Sequence, residues 1–136
     1  MLIKNEAFAS LVGQLHDEHI FIVNGLEEAW KIGIDSDKGK AKLLSLKTKL
    51  FEHLDKEDRV FYPMLKSAAK DDSRIDEALD VFGRGLGEIS KSCKDFFSRY
   101  PQPCQAKNCD KDFQDIFSLL KQRMRKEELV LFNVCK

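Results

Sequence analysis

Four long stretches of the sequence place apolar residues three or four positions apart, the spacing that gives an α-helix one apolar face. No stretch shows the period-two alternation that is typical of a half-buried strand. Because the connections are short, the pattern predicts an all-α chain: an antiparallel up-down-up-down four-helix bundle in one domain, residues 1–136. The predicted helices run from about Glu6 to Ile32, Lys38 to Ala69, Arg74 to Arg99 and Asp110 to Val134.

Two features interrupt the predicted helices. Pro63 lies within the second helix, where its ring and its missing N–H predict a kink. Gly83, Gly85 and Gly87 fall within the third, and each weakens a helix by up to about 1 kcal/mol. These glycines could produce a bend, admit a long side chain from a neighbouring helix or open a small-molecule channel. They lack the preceding strand and the Lys-Ser/Thr ending of a phosphate-binding loop.

The composition excludes several classes of protein. Lys plus Arg number 23 and Asp plus Glu number 23, so no net charge attracts nucleic acid or an anionic membrane. No apolar run reaches the roughly 18 residues that a membrane span needs. The first residues show no basic region followed by an apolar one, so we expect a cytoplasmic protein.

The cysteines and histidines do not suggest a nucleophilic enzyme. In a reducing compartment free thiols are the default, so Cys93, Cys104, Cys109 and Cys135 are interpreted as incidental. A zinc site or a redox pair formed by Cys104 and Cys109 is the less favoured alternative. No Ser-His-Asp or Cys-His arrangement can be placed, and we do not expect an enzyme.

One phrase occurs twice in the sequence, from His53 to Pro63 and from Arg123 to Phe132. In each copy a basic or imidazole residue is followed four positions later by a glutamate. A spacing of four stacks the two side chains on one helix face. In the first copy the pair is His53 and Glu57, a nitrogen and oxygen combination suited to iron, zinc or manganese. In the second copy Arg123 takes the place of the imidazole before Glu127.

Two histidines and two glutamates lie on the apolar stripes of three predicted helices. They are His19 in the first helix, His53 and Glu57 in the second and Glu127 in the fourth. Bundles build their sites from inward residues of facing helices, so these four are the candidate metal ligands. Uncompensated carboxylates in a core cost several kcal/mol each, so a divalent cation or a buried arginine is required. His16 is predicted to lie at the surface, one turn before His19.

Three motifs of this chain resemble the hemerythrin-like family, four-helix proteins with an HHE cation-binding domain that carries a non-haem di-iron site. The resemblance covers nearly the whole chain and predicts the same fold and a metal centre. The motifs are Leu15-x-x-Glu18-His19-x-x-Ile22, His53-x-x-x-Glu57-Asp58-x-x-Phe61-Tyr62-Pro63 and Lys126-Glu127-Glu128-x-x-Leu131-Phe132.

The resemblance implies roles for individual residues. The bridging carboxylates would be Glu57 and Glu127, and one iron would take its imidazoles from His19 and His53. The other iron takes its imidazoles from the third and fourth helices of the family. Here the third predicted helix contains no histidine, Leu86 stands at that position, and Arg123 replaces the imidazole of the fourth. A full di-iron centre is therefore not predicted.

Two hypotheses follow. In the first, His19, His53, Glu57 and Glu127 bind one divalent ion, iron or else manganese or zinc, and the guanidinium of Arg123 occupies the place of the second. Such a site would sense or handle metal or small oxidants such as oxygen, peroxide or nitric oxide. In the second, Arg123 pairs with Glu57 or Glu127 in a metal-free core, and the domain is an interaction module.

The aromatic residues suggest one partner besides a small ligand. Most of the phenylalanines fall on inward stripes and are interpreted as core. Phe21 and Phe51 fall off those stripes, which is typical of a contact in a homodimer.

Overall fold

A computed structural model describes residues 6–83, 85–99 and 109–133, and within these ranges the chain is helical with no strand, which confirms the all-α prediction. None of the helices in these ranges is long and apolar enough to cross a membrane. The up-down order of the helices remains a prediction. The elements in chain order are α1 (Glu6–Ile32), α2 (Asp37–Lys56), a first π segment (Glu57–Phe61), α3 (Tyr62–Ala69), α4 (Ser73–Phe82), α5 (Leu86–Arg99), α6 (Cys109–Lys126) and a second π segment (Glu127–Leu131).

A tight turn joins α1 to α2 where the sequence predicts it. Gly33 adopts φ = 104°, a left-handed conformation that glycine reaches without a Cβ penalty, and its N–H donates to the carbonyl of Ala29. The hydroxyl oxygen of Ser36 accepts a hydrogen bond from the N–H of Gly39 (3.0 Å), as an N-cap does. A Cβ on Gly39 would lie 1.8 Å from the carbonyl oxygen of Gly33, so only glycine fits this close approach.

The repeated phrase of the sequence forms two π segments. The N–H of Tyr62 donates to the carbonyl of Glu57, and the N–H of Phe132 donates to that of Glu127 (2.7 Å), five residues back in each case. The first segment ends immediately before Pro63, which lies in the first turn of α3. The kink predicted at Pro63 is thus a wide turn, which provides for the residue's missing N–H without ending the helix.

The third predicted helix is not continuous, and the prediction of one helix from Arg74 to Arg99 is wrong. The structure divides it into α4, which ends at Phe82, and α5, which begins at Leu86. Gly85 between them has φ = 77°, a conformation that favours glycine and cannot continue a right-handed helix. Of the alternatives left open by the glycines, the bend is therefore realised.

The helices pack in pairs, and the described core has two parts. Helix α1 lies along α2, α3 against α4 and α5 against α6, while α4 also contacts the second π segment. One apolar cluster includes Ile22, Leu54, Cys93 and Met124, and the other includes Leu15, Phe61, Leu86 and Leu131. Along each helix the candidate ligands fall at the change from one cluster to the other. The core thus has a polar layer between two apolar ones.

The exposed aromatic residues partly follow the prediction. Trp30, near the end of α1, is 38% exposed and stacks its ring on Phe113 with centroids 5.8 Å apart. Phe21 is 55% exposed, as expected off the inward stripe. Phe51 is only half-buried and packs its ring against the edge of Phe97. A homodimer contact at Phe21 and Phe51 remains a prediction.

The cysteines in the described part of the chain differ from one another. Cys93 is a free thiol that is buried in the core. Cys109, at the start of α6, is disulfide-bonded, so the interpretation as an incidental free thiol is wrong for it. Cys104 and Cys135 lie outside the described residues.

Candidate metal centre

All four predicted ligands converge in the polar layer. His19 comes from α1, His53 from the last turn of α2, Glu57 from the first position of the first π segment and Glu127 from the first position of the second. Each of the four is 1% exposed or less. One ligand atom from each residue lies within 4.8 Å of the ligand atoms of the other three. The sequence therefore identified residues that the fold brings together, although whether they bind metal remains a prediction.

The carboxylates face the ring nitrogens directly. The Nε2 atom of His19 lies 3.1 Å from Oε1 of Glu127 and 3.3 Å from Oε2 of Glu57. The Nε2 atom of His53 lies 3.3 Å from Oε1 of Glu57, four residues later on the same helix. Apart from such ion-pair contacts, three of these buried atoms have no hydrogen-bond partner: His53 Nε2, Glu57 Oε1 and Glu127 Oε1. Such atoms are costly to bury, so their convergence calls for a shared partner.

This donor set fits a divalent metal ion. Two imidazole nitrogens and two carboxylate oxygens form the ligand combination that iron, manganese and zinc accept. With ligand bonds of about 2.1 Å, neighbouring donors around such an ion lie roughly 3.0–3.4 Å apart. Two separations between these donors fall in that range: 3.1 Å between His19 Nε2 and Glu127 Oε1, and 3.3 Å between His53 Nε2 and Glu57 Oε1.

Arg123 extends into the same layer and is fully engaged there. Its side chain is 1% exposed. The guanidinium Nε donates to Oε2 of Glu127 (3.3 Å) and Nη2 donates to Oδ1 of Asp58 (2.9 Å). Nη2 also lies 3.2 Å from Oε1 of Glu57. Nη1 donates to the carbonyl of Leu86 (2.8 Å) and the hydroxyl of Ser90 (2.6 Å). One guanidinium therefore pairs with three carboxylates.

In each glutamate of the layer, the two carboxylate oxygens contact different groups. In Glu127, Oε2 accepts hydrogen bonds from the hydroxyl of Tyr62 and from Arg123, while Oε1 faces His19. In Glu57, Oε2 faces His19, while Oε1 lies between His53 and Arg123. The protein contacts thus fix the orientation of both carboxylates toward the imidazoles.

The charges of the layer shift the pKa values of its members. Burial alone would lower the pKa of His19, but the carboxylates of Glu127 and Glu57 raise it to about 10. Burial raises the pKa of Glu127 to about 7, with a further contribution from the charge of Glu57. Burial would also raise the pKa of Glu57, but the neighbouring imidazoles of His19 and His53 hold it well below its usual range. Two adjacent carboxylates in one site titrate apart in this way.

A groove reaches the layer from the side of the glycines. Its volume is about 620 Å³, and its lining includes Gly83, Gly87, Asp58, Tyr62 and Leu86. Three of these residues also contact Arg123. Its guanidinium donates to the carboxylate of Asp58 and to the carbonyl of Leu86, and it lies over the ring of Tyr62. The bend between α4 and α5 therefore supplies both an acceptor for the long arginine side chain and an opening beside it.

The sequence alone did not assign several members of the site. Asp58 was part of a motif but had no role, Ser90 and the Leu86 carbonyl were missed as partners of Arg123, and Tyr62 was missed as a partner of Glu127. No pattern in the sequence distinguishes these partners from other polar residues of the helices. His16 lies at the surface as predicted, half-exposed and 4.0 Å from Glu128.

Comparison with known proteins gives one result. The family model described as Hemerythrin, the hemerythrin HHE cation-binding domain, matches residues 10–135. No curated protein and no solved structure matches the chain. The match covers more than nine-tenths of the sequence and includes all four candidate ligands and Arg123. The chain is a member of the hemerythrin family.

Proposed function

We propose that this hemerythrin-family chain binds a single divalent metal ion through His19, His53, Glu57 and Glu127. The observation that carries the proposal is the set of three buried atoms without a hydrogen-bond partner, one on His53 and one on each glutamate. They face a common centre together with Nε2 of His19. Iron is the first expectation, with manganese or zinc as alternatives of the same ligand chemistry.

Arg123 limits the proposed site to one ion. Its guanidinium is a permanent positive charge, and it contacts both glutamates that would otherwise share a second cation. Its N–H groups donate four hydrogen bonds within the protein, and the guanidinium also lies against Glu57, so the protein itself holds it in place. We therefore assign it a structural role.

The surroundings favour a small ligand for such a site. The ring of His19 stacks on Phe132 with centroids 5.6 Å apart, and Phe61 packs edge-on against Phe132. Apolar walls and nearly complete burial exclude large polar substrates but admit oxygen, nitric oxide or peroxide. A bound Fe(II) or Mn(II) ion with open positions would supply the reactivity toward these molecules. We propose that the domain senses or handles such oxidants.

The number of metal ions bound per chain tests the proposal that the site holds one ion. Purified anaerobically with iron supplied, the wild-type chain should hold close to one iron per chain. His53→Ala should lose it, and His16→Ala, which alters an exposed histidine, should keep it. Two irons per chain, or retention of one after His53→Ala, would contradict the proposal. Loaded protein titrated with oxygen or nitric oxide should change its absorption spectrum, and an unchanged spectrum would contradict the oxidant role.

A second candidate is a metal-free interaction module. The observation in its favour is that Arg123 already pairs with Glu57, Glu127 and Asp58, and so compensates much of the buried negative charge. This candidate expects no stable binding of iron, manganese or zinc by folded wild-type protein. The same measurement of metal content therefore decides between the two functions.

A further inference from the structure

Each imidazole of the candidate metal centre has a second carboxylate on its outer nitrogen. The Nδ1 atom of His53 lies 2.7 Å from Oε1 of Glu18, and the Nδ1 atom of His19 lies 3.0 Å from Oε2 of Glu128. Neither glutamate faces the centre, and neither belongs to the four candidate ligands. Glu127 and Glu128, consecutive in the sequence, face opposite nitrogens of the His19 ring. Glu18 precedes His19 in the sequence but contacts the ring of the other imidazole, His53.

We propose that Glu18 and Glu128 are positioning residues, which hold the Nδ1 protons of His53 and His19 and thereby direct both Nε2 atoms to the metal centre. The proposal rests on the metal-binding function proposed above. A neutral imidazole carries one N–H, and an ionised carboxylate only accepts hydrogen bonds. A carboxylate at Nδ1 therefore selects the tautomer that leaves Nε2 free as a ligand, and it fixes the plane of the ring.

The two links also cross between helices. Glu18 on α1 reaches His53 on α2, whereas Glu128 in the second π segment reaches His19 on α1. Each ring is thus held by a carboxylate from a different element. The links therefore tie the positions of the donor rings to the packing of α1 against α2 and against the second π segment.

The two positioning residues should not contribute equally. The side chain of Glu18 is 13% exposed, and Lys56 fixes its other oxygen at 2.6 Å. The side chain of Glu128 is 36% exposed. Water can replace an exposed acceptor, so we expect Glu18 to matter more.

The affinity for zinc and cobalt tests the proposal on the full chain, measured by competition with a chromophoric chelator. Glu18→Ala should weaken binding by about 10- to 100-fold. Glu18→Gln keeps a carbonyl acceptor and should stay within about threefold of wild type. Glu128→Ala should weaken binding less than Glu18→Ala. Glu52→Ala removes an exposed carboxylate from α2 as the matched control and should bind like wild type.

A second measurement needs no metal. In metal-free protein, NMR of the imidazole nitrogens should show a slowly exchanging Nδ1 proton on His53. That proton should persist in Glu18→Gln and disappear in Glu18→Ala, while a purely structural role of Glu18 would leave it in place. If Glu18→Ala does not fold, Glu18→Met, which keeps the length but has no oxygen acceptor, takes its place in both measurements.

The outcomes separate this proposal from the proposed function. If wild type binds zinc or cobalt and Glu18→Ala binds as tightly as Glu52→Ala, the positioning role is overturned while the metal site stands. Equal weakening in Glu18→Gln and Glu18→Ala would overturn the acceptor role. If wild type binds no metal, the proposed function fails, and the Nδ1 proton of His53 alone decides whether Glu18 positions the ring.

Discussion

Replacing Arg123 by leucine should unfold this protein far more readily than an ordinary surface substitution. Leucine removes the guanidinium but leaves Glu57, Glu127 and Asp58 in place, and two of these carboxylates are fully buried. It also removes the donors to the Leu86 carbonyl and the Ser90 hydroxyl. The loss is therefore that of a cation from a layer of negative charge, in addition to a gap in packing.

The magnitude follows from this arrangement. Removing one partner of a buried ion pair costs about 3–5 kcal/mol, because the remaining charge is left buried and uncompensated. Proteins of this class unfold with an entropy of about 2.1 cal/mol/K per residue, or about 0.3 kcal/mol/K for a chain of this length. The melting temperature should therefore fall by roughly 10–18 °C. Arg123→Lys keeps a positive charge but not the planar guanidinium, so its melting temperature should lie between those of Arg123→Leu and wild type.

Urea and thermal unfolding in the presence of a chelator measure this loss without a contribution from metal. The matched control is Arg125→Leu, which removes an exposed arginine two residues along the same helix and should shift the melting temperature little. A melting temperature of Arg123→Leu within about 2 °C of the control would refute the reasoning, since about 0.6 kcal/mol is too little for an uncompensated buried charge. The arginine would then not act as the buried cation of the layer.

Three further predictions concern other parts of the chain. Gly39→Ala should destabilise the protein by about 1–3 kcal/mol because its Cβ would overlap the Gly33 carbonyl, whereas Gly13→Ala, with no atom within 4 Å, should be neutral or stabilising; equal urea midpoints would contradict this. Tyr62→Phe should cost about 1–2 kcal/mol in the same assay, since it removes the hydroxyl that donates to Glu127. Burial raises the pKa of Cys93 to about 12, so at pH 8 only about one thiol in ten thousand is ionised. Iodoacetamide should therefore modify Cys93 only after unfolding, and rapid labelling of its peptide in native protein, seen by mass spectrometry, would be the contrary result.

Helical periodicity was sufficient for the class of the fold but not for its interruptions. The apolar stripes located the first residues of α1, α2 and α6 to within one position, because an amphipathic helix shows its buried face directly in the sequence. The break between α4 and α5 was only one of the alternatives that the glycines left open, since glycine is compatible with a weak helix and with a left-handed turn alike.

The candidate site was predictable in its centre but not at its edges. His19, His53, Glu57 and Glu127 stand out because imidazoles and carboxylates on an apolar stripe need a special explanation. The partners of Arg123 do not stand out, because a serine, a backbone carbonyl and an aspartate beside a glutamate occur on any helix surface. Which of them the guanidinium reaches depends on the path of α5 after the bend, and periodicity carries no information about that path.

Both copies of the repeated phrase contain a π segment that begins with two acidic residues, but these acidic residues bind different partners. Each copy opens a π segment with two consecutive acidic residues, Glu57 and Asp58 or Glu127 and Glu128, of which the first faces the centre. The second acid binds a cationic or imidazole group that itself touches the centre, Arg123 for Asp58 and His19 for Glu128. Widened turns of this kind occur often at functional sites, where they re-aim side chains. Both copies therefore keep the same pair of acidic residues although Arg123 stands where an imidazole is expected. Asp58 of the first copy binds the guanidinium of Arg123, and Glu128 of the second binds the ring of His19, a proposed metal ligand.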